Sequence, residues 1–190
     1  MAADFSVKPT ITGDLVVLRP FRPGDFPAIR RALRDPEVVR LTGSRPIVWD
    51  RAAERQLRDW YGTRGDQTDL LDLAVEDRAT GAWAGEVVLN EWDPVAATCN
   101  FRTMVGPGGR DRGLGTEATR LITGYGFTHL GLRRITLEVY SFNPRARRVY
   151  EKAGFVAERV LPEALRTPEG WADATIMALD AGRWAQDQQG

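Results

Sequence analysis

The amino-acid sequence predicts a mixed α/β domain, with a mixed and mostly antiparallel sheet and about four helices. Three observations predict it. Strand-length apolar runs at Leu70–Glu76, Trp83–Trp92 and Thr98–Val105 follow one another across short turns. Helix-period stretches begin behind capping residues Asp25, Asp50 and Asn143. A strand–helix–strand unit lies late, at Thr98–Val105, Gly115–Leu130 and Ile135–Tyr140, and such a crossover is what a parallel strand pair requires.

Taken in order, Leu15–Leu18 is a short strand between Gly13-Asp14 and Arg19-Pro20. Ala28, Ile29, Ala32 and Leu33 recur at helical spacing, and Asp35-Pro36 stops that helix because proline restricts the residue before it. Ala53, Leu57, Trp60 and Tyr61 form the stripe of a second helix, closed by Gly62 and Gly65. Asp77–Gly81 reads as a hairpin turn. Ala118, Leu121, Ile122, Tyr125 and Leu130 line one side of the third helix, although Gly124 and Gly126 weaken it by up to about 1 kcal/mol each. Pro144–Ala153 is the fourth, with proline where its missing N–H does no harm. Phe155–Leu161 and Ala174–Leu179 close the sheet.

Bulk properties narrow the class. At 190 residues the chain fits one domain, residues 1–190, with a core at about 15–179 and terminal tails at 1–10 and 181–190. With 26 basic and 26 acidic side chains the formal net charge is zero, so bulk electrostatics gives no pull toward nucleic acid or anionic membrane. One cysteine, Cys99, excludes an internal disulfide framework. No apolar run approaches the roughly 20 residues that span a bilayer, and Met1–Lys8 lacks a signal pattern, so a cytoplasmic protein is expected. No cluster has metal-ligand spacing, and no metal is expected.

The chemistry concentrates after Val105, in Gly106-Pro107-Gly108-Gly109-Arg110-Asp111-Arg112-Gly113-Leu114-Gly115-Thr116 and the helix that follows. Glycines let the main chain turn and approach a ligand. A helix N-terminus offers free N–H groups and partial positive charge, and Arg110 and Arg112 add cations, so a diphosphate fits there. The bland alternative is a plain strand-to-helix loop. A P-loop is excluded, because no Gly-Lys-Ser/Thr triplet follows. A dinucleotide fingerprint is disfavoured, since the unit lies late and Glu138 is the only later strand acid.

Arg110-Asp111-Arg112-Gly113-Leu114-Gly115 resembles the acetyl-CoA motif of the GCN5-related N-acetyltransferases: Arg/Gln, two residues, Gly, one residue, Gly/Ala. Thr116-Glu117-Ala118, Leu137 through Ala146, and Val149 through Phe155 resemble the branch containing the ribosomal-protein N-terminal acetyltransferases. So do Leu18-Arg19-Pro20, Asp35-Pro36-Glu37-Val38 and Trp171-Ala172-Asp173. The resemblance implies a sheet splayed between its fourth and fifth strands, with pantetheine in the gap on main-chain groups of Met104 and Val105. It implies that N–H groups from Arg110 through Thr116, including Asp111, Arg112, Gly113, Leu114 and Gly115, take the diphosphate of acetyl-CoA, and that Asn143 binds the cofactor chain. Ala146 departs from the branch, which often has serine there.

Amide formation from a thioester needs a base for the amine, an acid for the leaving thiolate and a donor for the carbonyl oxygen. Tyr150 matches the family's thiolate-protonating tyrosine. Its plain alternative is a packing residue. Glu138, twelve positions earlier, has the base's spacing in the ribosomal-protein relatives. A solvent-facing or arginine-paired carboxylate is the alternative. Glu86 is the second candidate base, Ser141 a helper for the thiolate, and the Val105 N–H is placed to polarise the carbonyl. Cys99 reads as core and His129 as a helix-end residue.

Charge is uneven. Asp66, Asp69, Asp72, Glu76, Asp77, Glu86, Glu91 and Asp93 fall together, countered only by Arg78, whereas the cofactor half is rich in arginine. An acidic face attracts a cationic amine, with Trp83 and Trp92 as cation–π partners, or is merely a solvated hairpin. The expected acceptor is a primary amine on an aminoglycoside-type antibiotic, a polyamine or a protein N-terminus. A succinyl-sized acyl group, a non-catalytic acyl-CoA-binding module and a homodimer are left open.

Overall fold

The computed structural model describes residues 3–188. Eight strands form one sheet in the order β1-β2-β3-β4-β5-β6-β8-β7. The strands are β1 (Ile11–Thr12), β2 (Val16–Arg19), β3 (Leu71–Asp77), β4 (Trp83–Asp93), β5 (Thr98–Val105), β6 (Arg134–Tyr140), β7 (Val156–Thr167) and β8 (Gly170–Asp180). The helices are α1 (Phe26–Leu33), α2 (Pro36–Leu41), α3 (Arg51–Gly62), α4 (Leu114–Thr128), α5 (Pro144–Lys152) and α6 (Ala181–Asp187). Every strand pairing is antiparallel except β5 with β6, the pair joined by α4.

Several expectations hold closely. Thr98–Val105 forms β5 at those bounds, and Asp50 and Asn143 cap α3 and α5 by accepting from Ala53 and Ala146 N–H. Two helices beyond the expected four are present. At Asp35-Pro36 the chain stops one helix and starts another: Asp35 accepts from Glu37 and Val38 N–H, and Pro36 occupies the first turn of α2. α6 replaces the expected C-terminal tail, and its Trp184 packs on Phe127 at 5.5 Å. The two-residue β1 precedes the expected first strand, so the parallel pair is the fifth and sixth strands rather than the fourth and fifth. β7 and β8 run longer than their apolar stretches, because they are joined by a tight turn closed by Thr167 and Gly170. Trp60, expected in the stripe of α3, is 55% exposed, with Arg64 stacked on its ring at 3.7 Å.

The core lies between the sheet and α4. Leu114, Ala118 and Ile122 bury against Val16, Leu73, Leu89 and Phe101. That packing fixes the N-terminus of α4 beside the end of β5, which is what positions the site.

Candidate active site

β5 and β6 are paired only over Thr98–Arg134, Cys99–Ile135 and Asn100–Thr136. Beyond that both strands continue, to Val105 and Tyr140, paired with β4 and β8 but not with each other. A cavity of about 970 Å³ occupies the resulting fork. Met104 and Val105 line one wall, Glu138, Val139 and Tyr140 the other, and Asn143, Ala146 and Tyr150 of α5 approach from the side.

Strand alternation decides which main-chain groups face the gap. The Gly106 N–H donates to Ala84 O on β4 at 2.8 Å, and the Met104 carbonyl lies against Gly85. The main chain of Val105 therefore faces the fork, whereas that of Met104 faces β4. Met104 keeps a place in the wall through its side chain.

At the fork's mouth the chain turns from β5 into α4. Asp111 (φ 58°) and Gly113 (φ 80°) are left-handed, and Gly113 sits immediately before the helix. Thr116 and Glu117 N–H both bond the Gly113 carbonyl. Arg110, Asp111, Gly113, Gly115 and Thr116 line the cavity, and the first turn of α4 directs its unpaired N–H groups there. These features fit the diphosphate of an acyl-CoA.

The arginines do not act as expected from sequence. Arg110 is bound by two carboxylates of the α2 N-terminus, Asp35 at 3.3 Å and Glu37. Arg112 turns out of the cavity to Asp77 at 2.7 Å and the Gly108 carbonyl. Arg145 of α5 reaches Glu37 at 3.4 Å and Asp111 at 3.6 Å. With Arg110 and Arg112 engaged by carboxylates, the cationic side chains that line the cavity also include Arg148 and Lys152 of α5. Leu114 is buried in the core rather than in the cavity wall, and Ser141 lies exposed in the turn after β6, its N–H on Asp173 O.

Tyr150 is 7% exposed, with its ring edge-on to Phe101 at 6.0 Å. Burial pushes its phenol above the ordinary value, so it stays protonated at neutral pH. The two candidate bases differ sharply in setting. Glu138 is an exposed β6 residue that lines the cavity. Glu86 is half-buried on β4, across from Met104, and accepts the Tyr61 hydroxyl at 2.7 Å. Burial raises its pKa, while the Tyr61 bond and the Arg102 and Arg64 charges oppose that rise.

Sequence reasoning missed Tyr61, whose place in an apolar stripe hid its hydroxyl. It also missed Gly85, although a glycine inside a strand signals close main-chain approach. The acidic stretch divides. Glu86 and Glu91 line the cavity; Glu76 and Asp77 pair with arginines; Asp72 is buried. Neither Trp83 nor Trp92 lines it, and Trp92 packs on Phe5 at 5.6 Å. Cys99 is core, its thiol pushed up to about 12 by burial. His129 stacks on Tyr125 at 4.5 Å at the end of α4. Among the described residues, no helix is long and apolar enough to cross a membrane, and no group of three His, Cys, Asp or Glu could hold a metal.

Comparison with known proteins shows what the chain is similar to. Spermidine N(1)-acetyltransferase of Escherichia coli (strain K12) is 33% identical over 99 residues, 48% of this chain and 53% of that protein. The chain thus spans about half the length of that curated relative. The SPbeta prophage-derived N-acetyltransferase YokL of Bacillus subtilis (strain 168) is 26% identical over 168 residues, 88% and 91% of the two chains. The crystal structure of spermidine N-acetyltransferase from Vibrio cholerae in complex with CoA and spermine superposes with a TM-score of 0.80, covering 91% of this chain and 99% of that one. At 22% identity that likeness is one of fold. The family model described as acetyltransferase (GNAT) domain matches residues 16–156, and the chain belongs to that family.

Proposed function

We propose that the protein is an acyl-CoA-dependent N-acyltransferase that moves an acetyl group from acetyl-CoA to a primary amine in a ternary complex. The β5–β6 fork carries this reading, because α4 starts at its mouth and Glu86 and Tyr150 stand on its walls. In it, main-chain N–H groups from Arg110 through Gly115 hold the diphosphate, with Thr116, whose N–H bonds the Gly113 carbonyl, beside them, and Val105 and Asn143 hold the pantetheine arm. The donor supplies an activated thioester.

The remaining chemistry falls to side chains. Glu86 takes a proton from the incoming ammonium, its raised pKa bringing it nearer to an amine. Glu138, the more exposed of the two on the cavity wall, receives the cation before it reaches Glu86. The Val105 N–H faces the thioester oxygen. Tyr150 returns a proton to the leaving thiolate. Both phenol and thiolate lie in the same desolvated gap, which raises both pKa values together.

A polyamine is the leading acceptor. Glu86, Glu91 and Glu138 line one cavity, and two of the relatives above are named for spermidine. A protein N-terminus, as in the ribosomal-protein branch, and aminoglycosides are the next acceptors to assay. A cytoplasmic location is part of this reading. A free-thiol assay with acetyl-CoA against polyamines, antibiotics and peptides tests the proposal. Thiol release with a polyamine is expected, and Tyr150→Phe should lower turnover by about 10-fold or more with CoA binding retained. Tight acetyl-CoA binding without release with any amine would instead indicate a non-catalytic binding module.

A further inference from the structure

We propose that Asp72 is a positioning residue for the base: it and Glu86 form a carboxyl pair behind the acceptor site, and its ionisation tunes the proton affinity of Glu86. This rests on the acyltransferase reading above. Asp72 stands opposite Val88, and Glu86 opposite Ala74, in the β3–β4 ladder. Their side chains therefore leave the same face of adjacent strands, diagonally related. Asp72 is 6% exposed, and its Oδ1 is buried without a hydrogen-bond partner. Its Oδ2 lies 3.9 Å from the guanidinium of Arg64, beyond hydrogen-bond reach. Glu86 has one bond, from Tyr61 of α3.

An ionised carboxylate with a bare buried oxygen is costly, and the cost falls if the group keeps a proton. The surroundings agree. Burial first, then the charge of Glu86, pushes Asp72 up to about 8, against Arg64, Arg102 and Lys8. Those groups come from every element packed on the pair: Tyr61 from α3, Arg64 from the turn after it, Arg102 from β5 and Lys8 from the N-terminal segment. Lys8 is fixed there by donating to Phe5, Gln67 and Leu70 carbonyls. The Tyr61 bond favours the ionised form of Glu86, whereas the bare buried oxygen of Asp72 disfavours its own, so Asp72 is the later of the two to ionise. As pH passes about 8 Asp72 follows, and its negative charge makes Glu86 a stronger base.

The test is the pH profile of kcat/KM for the parent chain and Asp72→Asn, which keeps the shape and removes the ionisation. The parent should show two rising steps, the upper near pH 8. The variant should keep the lower step and lose the upper. A purely structural role would lower activity at every pH and leave both steps, and that result overturns the proposal. A ¹³C carboxyl titration by NMR reads the pair without turnover. One aspartate should titrate far above the ordinary range, vanish in Asp72→Asn, and move down by about one pH unit or more in Glu86→Gln. An Asp72 that titrates normally, or is unmoved by Glu86→Gln, overturns the pairing. Absence of thiol release by the parent chain with every amine strikes the acyltransferase reading itself, and with it the role given to Asp72.

Discussion

Gly85→Ala should damage the cofactor wall of the fork, and the structure sets the scale. Gly85 lies on β4 opposite Val105. A Cβ there would sit 2.3 Å from the Met104 carbonyl oxygen, 3.2 Å from Val105 Cα and 3.3 Å from Met104 C. All three are main-chain atoms, so no rotamer change relieves the contact. Restoring an ordinary carbon–oxygen separation of about 3.3 Å requires β4 and β5 to part by about 1 Å. Overpacking of this kind costs roughly 2 kcal/mol, a fall of about 4–8 °C in Tm for a chain of this length. Because the displaced segment presents the Val105 main chain to the fork, CoA affinity should fall by about 10-fold or more. Thermal unfolding and calorimetric titration with CoA measure the two effects. Gly24→Ala is the control, since nothing lies within 4 Å of its added carbon. Parent-like Tm and CoA affinity in Gly85→Ala would refute the reasoning.

Two further outcomes follow from the same structure. Gly113→Asp forces a side chain onto φ 80° and brings negative charge to the diphosphate site, so CoA affinity should drop about 10-fold or more; normal affinity by calorimetry contradicts the loop geometry. Asp25 feels burial, which pushes its pKa up, but paired bonds from Arg19 and the Arg22 N–H outweigh that and hold it below the ordinary value. A lowered folded pKa means stabilisation that is complete above the unfolded value of about 3.9 and is lost as pH falls through the folded one. Asp25→Asn should therefore be less stable at neutral pH and lose less stability between about pH 4 and 2; denaturation curves parallel to the parent's would contradict this.

The elements that frame the fork were legible in sequence because each is local, whereas the splay between the strands came from the family resemblance. A β-branched and apolar run, a glycine turn and a capped helix each carry their own signal, and Thr98–Val105 needed no tertiary information. α2 was hidden because one Asp-Pro pair both ends a helix and caps the next. The roles of the arginines were illegible for another reason. Arg110 and Arg112 find partners at Glu37 and Asp77, far away in sequence, and those partners decide where each guanidinium points. The choice between Glu86 and Glu138 has the same origin. Strand periodicity assigns a face, but burial of Glu86 depends on Tyr61 and α3 covering it, whereas nothing covers Glu138 to the same degree. Branch motifs pointed to ribosomal-protein enzymes, while the relatives named above include spermidine enzymes; the central motifs lie in the segments read as holding the donor, and the first two helices expected from sequence, read as holding the acceptor, carry no such motif.

A crystal structure with CoA bound addresses the central claim most directly. The diphosphate should rest on the main-chain N–H groups from Arg110 through Gly115, and pantetheine should run between β5 and β6 with its amides on Val105. A nucleotide seated elsewhere, or a fork closed by β5–β6 pairing beyond Asn100, would contradict the account.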